Sequence, residues 1–388
     1  MSRHFETEAI RNQTERSQFS EHSTPLYLTS SFVFDDAEEM RLSFAEEKER
    51  NLYSRFTNPN TTEFVDKIVA MEGAEAGYAF ATGMAAIFSS FAALLNAGDH
   101  IVSCRSVFGS THGMFNNYLP KWNIETSYFK VDEVDLIEGL IKENTKILYI
   151  ETPTNPGLDI LDLELIGNIA KKYNLIFIVD NCFATPYIQQ PIKFGADLVI
   201  HSATKLIDGQ GRVLGGVTVG NKKLLREIYL FARNTGPAMS PFNAWVLSKS
   251  LETLSVRVEK HCENALKVAT FLEGNKNVKF VKYPFLKTHP QYEVAKTQMK
   301  LGGNIVAFEI KGGLEAGVAF LDKIQMCSLS ANLGDTRTIV SHPSSTTHGR
   351  LSIEDRLEVG ITNGLVRISV GLEHVEDIIA DIQQALEL

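Results

Sequence analysis

Short apolar segments alternate with helical segments along residues 61–220 of this 388-residue chain. Predicted strands include Lys146–Glu151, Leu175–Val179 and a segment that ends just before Lys205. Helical segments of about ten or more residues, such as Leu161–Tyr173, lie between strands. Parallel strands need crossovers of this length, and a strand that is buried on both faces is apolar throughout. The alternation therefore predicts an α/β fold with a mostly parallel central sheet.

The chain divides into three predicted parts. Residues 1–60 lack clear periodicity and are predicted to form an N-terminal arm. Residues 61–244 contain the predicted parallel sheet, and residues 245–388 indicate a smaller C-terminal α+β domain, which opens with a long helix predicted over Trp245–Glu273. Its predicted strands are Asn304–Ile310 and Leu365–Val370. Because a polar arm that carries aromatic side chains often packs on another subunit, we expect an oligomer.

The composition indicates a soluble globular protein, with 44% hydrophobic and 22% charged residues. No apolar run reaches the roughly 18 residues of a membrane span, and the polar start Met1–Glu8 is not a secretory signal. The net charge of −9 argues against general nucleic-acid binding. The cysteines have neither CxxC nor metal-ligand spacing, which indicates reduced thiols in a cytoplasmic protein without a metal site. They are Cys104, Cys182, Cys262 and Cys327.

Lys205 and Asp180 each follow an apolar, strand-like segment. Pyridoxal phosphate (PLP) chemistry uses this pair, because the lysine forms a Schiff base with the cofactor and the carboxylate keeps the ring nitrogen protonated. Ser202 and Thr204 add hydroxyl groups that can donate to a phosphate. The alternatives are a solvated lysine at a strand end and an aspartate that caps a helix or joins a structural ion pair. The set favours a PLP enzyme that acts on amino acids.

Further candidates lie at similar positions. Gly83 and Met84 join a strand to a helix, where backbone N–H groups can bind an anion, although a plain turn is the alternative. Arg55, in the arm, has the planar fork that matches phosphate. Phe108 follows a strand and either stacks on a cofactor ring or packs in the core. Arg367, inside an apolar strand, needs an anion, either a substrate α-carboxylate or an internal carboxylate.

Six motifs follow one another along the chain: Tyr53–Arg55 with Asn58-Pro59, Thr82–Ala86, Glu151–Pro156, Val179–Asn181, His201–Lys205 and His342–His348. Together they resemble the Cys/Met-metabolism family of PLP-dependent enzymes, and the likeness runs from about Ser23 to the C-terminus. The resemblance implies a PLP-dependent transferase of fold type I, with an arm, a large PLP-binding domain and a small C-terminal domain. It also implies a homotetramer, built from dimers that share active sites.

The resemblance assigns a role to each site residue. Lys205 would be the catalytic residue, Asp180 would pair with the ring nitrogen, and Phe108 would stack on the ring. Tyr53 and Arg55 would reach the cofactor phosphate of a neighbouring subunit. The full set of implied cofactor contacts is Tyr53, Arg55, Gly83, Met84, Phe108, Asn155, Asp180, Ser202, Thr204 and Lys205. The implied contacts to the substrate carboxylate are Asn332 and Arg367.

Departures from the family pattern favour one reaction. Most lyases and synthases of the family carry a tyrosine at the ring-stacking position, whereas Phe108 can stack but cannot exchange protons. Methionine γ-lyases usually carry a cysteine where this chain has Ser110, and many relatives have serine in place of Asn332. With the segment Asp208–Gly211, this combination resembles most the sulfhydrylases that use O-succinylhomoserine.

The expected reaction is therefore the replacement of the γ-succinyloxy group of O-succinyl-L-homoserine by sulfide, which makes L-homocysteine for methionine biosynthesis. Cystathionine γ-synthase, O-acetylhomoserine sulfhydrylase, and methionine or cystathionine γ-lyase are alternatives that use the same cofactor. A cofactor-binding protein without catalysis is the alternative from another functional class. An intact Lys205, Asp180 and Arg367 argue against it.

Overall fold

The chain forms two sheets covered by helices in the computed structural model, which describes residues 3–347, 349 and 352–387. The strands of the large sheet are β1 Ala76–Phe80, β2 His100–Cys104, β3 Glu125–Phe129, β4 Thr145–Glu151, β5 Ile176–Asp180, β6 Leu198–Ser202 and β7 Gly216–Gly220. Those of the small sheet are β8 Val278–Lys282, β9 Ile305–Ile310, β10 Ser328–Leu329, β11 Ile339–Ser341 and β12 Leu365–Ser369.

The α-helices lie between and around these strands. They are α1 Phe5–Arg11, α2 Ala37–Phe44, α3 Pro59–Glu72, α4 Gly83–Leu94, α5 Gly109–Asn117, α6 Ile137–Leu140, α7 Leu163–Lys172, α8 Thr185–Ile188, α9 Lys222–Thr235, α10 Pro241–Leu251, α11 Leu254–Glu273, α12 Tyr292–Gln298, α13 Gly313–Lys323, α14 Ile353–Glu358 and α15 Val375–Leu386. Short 3-10 helices lie at Leu119–Trp122, Val134–Leu136 and Pro191–Phe194. In the described part of the chain, no helix combines the length and apolar character that crossing a bilayer requires.

The large sheet has the strand order β1-β7-β6-β5-β4-β2-β3. β7 runs antiparallel to both neighbours, and the other neighbouring pairs are parallel. The carboxyl ends of β4, β5 and β6 are adjacent, since Glu151 pairs in register with Asp180 and Asp180 with Ile200. The predicted α/β fold with a mostly parallel sheet is confirmed. Ligands of such sheets bind at this carboxyl edge.

The segment predicted as one long helix over Trp245–Glu273 is instead two helices, α10 and α11. The Ser250 carbonyl accepts the Thr253 N–H at 3.2 Å and the Arg257 guanidinium at 2.9 Å. A continuous helix would bring the Leu254 N–H to that same carbonyl. The prediction of a single helix was wrong because the Arg257 side chain, seven residues after Ser250, competes for the Ser250 carbonyl.

The small sheet has the order β10-β11-β12-β9-β8, and its side chains alternate between two faces. Phe308 and Val366 pack with the covering helices, whereas Ala307 packs with Phe183 of the large domain. Arg367 follows Val366 directly and therefore lies on the face toward the large sheet. The smaller α+β unit is confirmed, and the boundaries at residues 60 and 244 remain predictions.

Candidate active site

A cavity of about 790 Å³ lies at the carboxyl edge of the large sheet. Most of the predicted site residues line it. They are Gly83, Met84, Phe108, Asn155, Asp180, Ser202, Thr204, Lys205 and Arg367. Asn332 contacts both Lys205 and Arg367. His348, the last residue of the sixth motif, lies outside the described residues.

Asp180, at the end of β5, is a buried carboxyl group with neutral hydrogen-bond donors. It accepts the Cys182 backbone N–H at 3.0 Å and the Tyr149 hydroxyl at 3.3 Å. Burial raises the pKa of Asp180 to about 6, although these donors and the nearby His201 oppose that rise. A protonated pyridine nitrogen beside it would lower this pKa again, because an opposite charge favours the carboxylate. The environment therefore fits a cationic ring nitrogen.

Lys205 lies in the turn that follows β6, and its Nζ donates to Asn332 Oδ1 at 2.7 Å. Burial lowers the pKa of the Lys205 amine, and the positive charge of Arg367 acts in the same direction. This favours the neutral amine, the form that attacks an aldehyde or accepts a proton. Arg257 stabilises this turn, because its guanidinium donates to the carbonyl groups of Leu206 and Ile207 at 2.8 and 3.2 Å.

Arg367 reaches the cavity from β12 of the small sheet. Its guanidinium donates to Asn155 Oδ1 at 2.9 Å and to the Asn332 carbonyl at 3.3 Å. Burial lowers the pKa of Arg367 to about 10, so the side chain remains charged near neutral pH. Among the described residues, its buried Nε has no hydrogen-bond partner. A buried cation with neutral partners fits an external carboxylate better than the internal one considered from the sequence.

The start of α4 and the end of β6 lie in close contact and present groups that suit an anion. Gly83 and Met84 are the first residues of α4, where the helix dipole and the N–H groups favour an anion. A Cβ on Gly83 would lie 2.7 Å from the Ser202 Cβ, so this approach requires glycine. The Thr204 hydroxyl accepts from Gly215 N–H at 3.1 Å and donates to Gly215 O at 3.3 Å. It would have to redirect this hydrogen to reach a phosphate.

Tyr53 and Arg55 lie outside this cavity. Arg55 lines a separate cleft of about 460 Å³ and donates to the Arg233 carbonyl. The Tyr53 ring packs against Phe56, with 5.7 Å between ring centroids. Within one chain these two residues therefore do not join Lys205. Their contact with the cofactor of a neighbouring subunit remains a prediction.

Two residues of the cavity with ionisable side chains, Glu151 and Arg105, were not assigned a role from the sequence. The Glu151 carboxylate accepts the Phe108 backbone N–H at 2.7 Å and is only 3% exposed. Burial, and then the charge of Asp180, raise the pKa of Glu151 well above its ordinary value. Arg105 follows β2 and is half-buried in the cavity wall. Glu151 and Arg105 could have been identified from the sequence in the same way as Asp180, because each has an ionisable side chain at the end of an apolar strand.

The family model for Cys/Met metabolism PLP-dependent enzymes matches residues 6–387. The chain belongs to this family. An O-succinylhomoserine sulfhydrylase of Pseudomonas aeruginosa is 44% identical over 382 residues, which are 98% of this chain and 95% of that protein. An L-methionine gamma-lyase of Fusobacterium nucleatum subsp. nucleatum is 43% identical over 384 residues, 98% of this chain and 97% of that protein.

Two solved structures have the same fold as this chain. A Campylobacter jejuni chain, described as an O-acetylhomoserine (thiol)-lyase with N′-pyridoxyl-lysine-5′-monophosphate, has a TM-score of 0.96 and 33% identity, with 100% of both chains covered. A structure of metB from Corynebacterium glutamicum has a TM-score of 0.93 and 36% identity, and covers 99% of this chain and 98% of that one.

The predicted family, fold class and PLP cofactor are therefore confirmed. The residues present fit PLP, because a lysine, a buried carboxyl group and a helix N-terminus that suits a phosphate lie around one cavity. The likeness to known proteins leaves the substrate open, since a sulfhydrylase and a γ-lyase are similar to nearly the same extent. The cytoplasmic location and the homotetramer remain predictions.

Proposed function

We propose that this enzyme replaces the γ-succinyloxy group of O-succinyl-L-homoserine with sulfide, giving L-homocysteine and succinate. The observation that carries the proposal is Phe108, which lines the cavity and has no phenol. The family resemblance associates a tyrosine at this position with most lyases and synthases, which can use its hydroxyl group to move protons. The 44% identity to a protein named O-succinylhomoserine sulfhydrylase, along 98% of this chain, supports the same choice.

The residues around the cavity divide the task of holding the cofactor. Lys205 would bind PLP covalently, and Asp180 would hold its ring nitrogen in the protonated state. The N–H groups at Gly83 and Met84, with the Ser202 hydroxyl, would hold its phosphate. When bound, PLP supplies an electron sink that stabilises negative charge developing at the α- and β-carbons of an amino acid.

Arg367 would orient the substrate through its α-carboxylate. Its buried Nε and one terminal nitrogen offer the two parallel N–H groups that a carboxylate matches. Asn155 and Asn332 hold the guanidinium in place from two sides. The substrate would then present its Cα–H bond to the Lys205 amine, whose lowered pKa leaves it ready to accept a proton.

Lys205 would carry the protons of the whole exchange, because Phe108 cannot. Its Nζ would take a proton from Cα, pass that proton to the cofactor and only then take one from Cβ, and it would later return one proton to each carbon. The Cγ–O bond breaks with the electron pair leaving on succinate, and hydrosulfide forms the new Cγ–S bond. Substrate and product are at the same oxidation level, so the reaction needs no external oxidant or reductant.

The test is a competition assay with the purified, PLP-loaded enzyme. O-succinyl-L-homoserine is supplied with equal concentrations of sulfide and cysteine, and the products are identified by mass spectrometry. L-homocysteine as the main product supports the proposal. Cystathionine as the main product would reassign the enzyme as a γ-synthase, and 2-oxobutanoate without a thioether or thiol product would indicate a lyase. A Lys205→Ala variant provides the background rate.

A γ-lyase acting on L-methionine is the second candidate, favoured by the 43% identity to L-methionine gamma-lyases. The wild-type enzyme is expected to release 2-oxobutanoate from L-methionine more slowly than it consumes the succinyl ester. A Phe108→Tyr variant is expected to increase the lyase share, because a phenol adds a second proton carrier. Faster wild-type turnover of L-methionine than of the ester would make the lyase the better assignment.

A further inference from the structure

Tyr149, on β4, is a fully buried residue whose hydroxyl group lies beside the carboxyl group of Asp180. The hydroxyl donates to Asp180 Oδ2 at 3.3 Å, and the Cys182 backbone N–H donates to Oδ1 at 3.0 Å. The Tyr149 ring packs edge-to-face against Phe91 and Phe115, with 5.3 and 5.6 Å between ring centroids. Because this packing fixes the ring, the phenol has a set position against the carboxyl group. The mechanism above gives Tyr149 no role.

The groups around Asp180 show which side chain acts on it directly. The described ionisable groups there are Tyr149 and Glu151 on β4, Cys182 after β5, His201 on β6 and Lys205 in the turn after β6. Burial raises the pKa of the thiol and of the Glu151 carboxyl group, so both favour their neutral forms. His201 Nε2 lies 2.7 Å from Glu72 Oε1, so its imidazole is bonded to a different carboxyl group. Among the described hydrogen bonds, the side-chain donor to Asp180 is therefore Tyr149.

The Tyr149 hydroxyl is a donor in this contact. Burial, and then the charge of Asp180, raise the pKa of Tyr149 well above its ordinary value, so the phenol keeps its hydrogen. An ionised carboxylate only accepts hydrogen bonds, and a donor stabilises it relative to the protonated form. Each carboxylate oxygen has two lone pairs, so the two observed donors leave acceptor sites for a third. A cationic ring nitrogen would use one of these sites.

We propose that Tyr149 is a positioning residue that acts on the cofactor through Asp180. Its hydroxyl group keeps Asp180 ionised, and the proton that Asp180 and PLP share therefore stays on the ring nitrogen. A protonated ring withdraws electrons more strongly than a neutral pyridine, so the strength of the electron sink depends on Tyr149 as well as on Asp180. This inference rests on the contact between Asp180 and the ring nitrogen that is proposed above. It applies to a sulfhydrylase and to a γ-lyase alike.

The experiment compares the wild type with Tyr149→Phe, which deletes one oxygen atom and keeps the packed ring. Tyr283→Phe is the matched control, because Tyr283 is also buried and its hydroxyl donates to the carbonyl groups of Cys262 and Gly303. Each protein is loaded with ¹⁵N-labelled PLP, and the ¹⁵N NMR signal distinguishes a protonated from a neutral ring nitrogen. In Tyr149→Phe the signal should move toward that of neutral pyridine, whereas Tyr283→Phe should keep the wild-type signal. For Tyr149→Phe, kcat should fall about 10-fold with KM nearly unchanged, because a hydrogen bond to a charged group is lost and the Arg367 contact is kept.

The PLP-free protein gives a second measurement that depends neither on loading nor on turnover. Infrared spectroscopy follows the protonation of Asp180 over a pH series, and an Asp180→Asn variant identifies its band. Tyr149→Phe should make Asp180 bind its proton about 10-fold more tightly, because the carboxylate has lost a donor. If Tyr149→Phe does not fold, wild-type protein made with 3-fluorotyrosine decides the question. The fluorinated phenol is a stronger donor, so Asp180 should bind its proton more weakly, and an unchanged affinity would overturn the inference.

The possible outcomes separate this inference from the proposals made above. An unchanged ring-nitrogen signal in Tyr149→Phe, or an equal loss of kcat in Tyr149→Phe and Tyr283→Phe, would mean that Tyr149 only supports the fold. Either result overturns the inference while the role of Asp180 stands. If PLP-loaded Asp180→Asn gives the wild-type signal, Asp180 does not hold the ring nitrogen, and the contact and the inference both fail. The sulfhydrylase function is tested separately, by the products of the competition assay.

Discussion

Glu151 is expected to hold the backbone on both sides of the PLP ring. Its carboxylate accepts the Phe108 N–H at 2.7 Å, and the Asn155 N–H also donates to it. Phe108 is predicted to stack on the ring, and Asn155 is predicted to lie near the ring hydroxyl. Replacing Glu151 with alanine removes the acceptor of both N–H groups while leaving all the predicted cofactor residues unchanged.

The cost of this truncation follows from burial. Glu151 is 3% exposed, so water cannot readily replace the lost acceptor. A buried donor left without a partner costs about 1–3 kcal/mol, and two such donors give about 2–6 kcal/mol of the free energy of unfolding. Glu151→Gln keeps an oxygen that can accept the same N–H groups. It is the matched control, with an expected loss below about 2 kcal/mol.

The pH dependence adds a second signature. Because the folded-state pKa of Glu151 is raised above 4.5, the folded chain binds the proton more tightly than the unfolded chain. Its contribution to stability is therefore fully present below pH 4.5 and is lost as the pH rises through the folded-state pKa. Glutamine is neutral at every pH, so Glu151→Gln should reduce this decline. The pKa of Asp180 is raised to about 6, so in the PLP-free protein Asp180 also makes stability decline as the pH rises toward that value.

Urea unfolding of the PLP-free protein, at one protein concentration and over a series of pH values, measures both effects. Circular dichroism of bound PLP then reports whether the ring environment changes in the two variants. The reasoning is refuted if Glu151→Ala is as stable as the wild type. It is also refuted if Glu151→Gln retains the full decline of stability with pH, since Glu151 would then be ionised in the folded protein.

Three further substitutions have expected outcomes. Lys205→Ala should abolish turnover and let PLP dialyse away, which absorbance after dialysis checks against a wild-type sample; retained turnover would remove Lys205 from the mechanism. Arg367→Gln should raise KM for the homoserine ester about 10- to 100-fold in steady-state assays, and an unchanged KM would place the α-carboxylate elsewhere. Arg257→Leu removes donors to three backbone carbonyl groups and should cost at least about 2 kcal/mol in urea unfolding, whereas a neutral effect would show that water replaces them.

The central sheet could be predicted because its inner strands are buried on both faces and are therefore apolar throughout. β5 and β6 are examples, and each leads directly into a candidate site residue. β3 was missed because it is an edge strand, only partly buried, with the mixed sequence Glu125–Phe129. The break between α10 and α11 depends on hydrogen bonds from the Arg257 side chain, which local periodicity does not report.

A site residue could be predicted where its position follows from the end of a single strand. A contact between two segments that are distant in the sequence could not be predicted. Asp180 and Lys205 follow from the rule that ligands bind at carboxyl ends. The contact between Glu151 and Phe108 joins residues 43 positions apart, and it depends on the alignment of β2 with β4. Tyr53 and Arg55 lie outside the cavity of their own chain, and their predicted contact with the cofactor of a neighbouring subunit stays a prediction.

Different residues of the cavity hold the cofactor and determine the reaction. This explains why overall sequence identity does not separate a sulfhydrylase from a γ-lyase. Apart from Phe108 and the two arm residues, the predicted PLP contacts lie at or just after the ends of β1, β4, β5 and β6. The predicted α-carboxylate contacts are Arg367 of β12 and Asn332. These groups hold the cofactor and the amino acid whatever reaction follows, so relatives with different reactions can share them. The segment Arg105–Ser110 after β2 adds a cation, a ring without a phenol and a hydroxyl group to the same cavity. We therefore expect the choice of leaving group and of proton carrier to depend on this short segment, which contributes little to an identity of 43 or 44%.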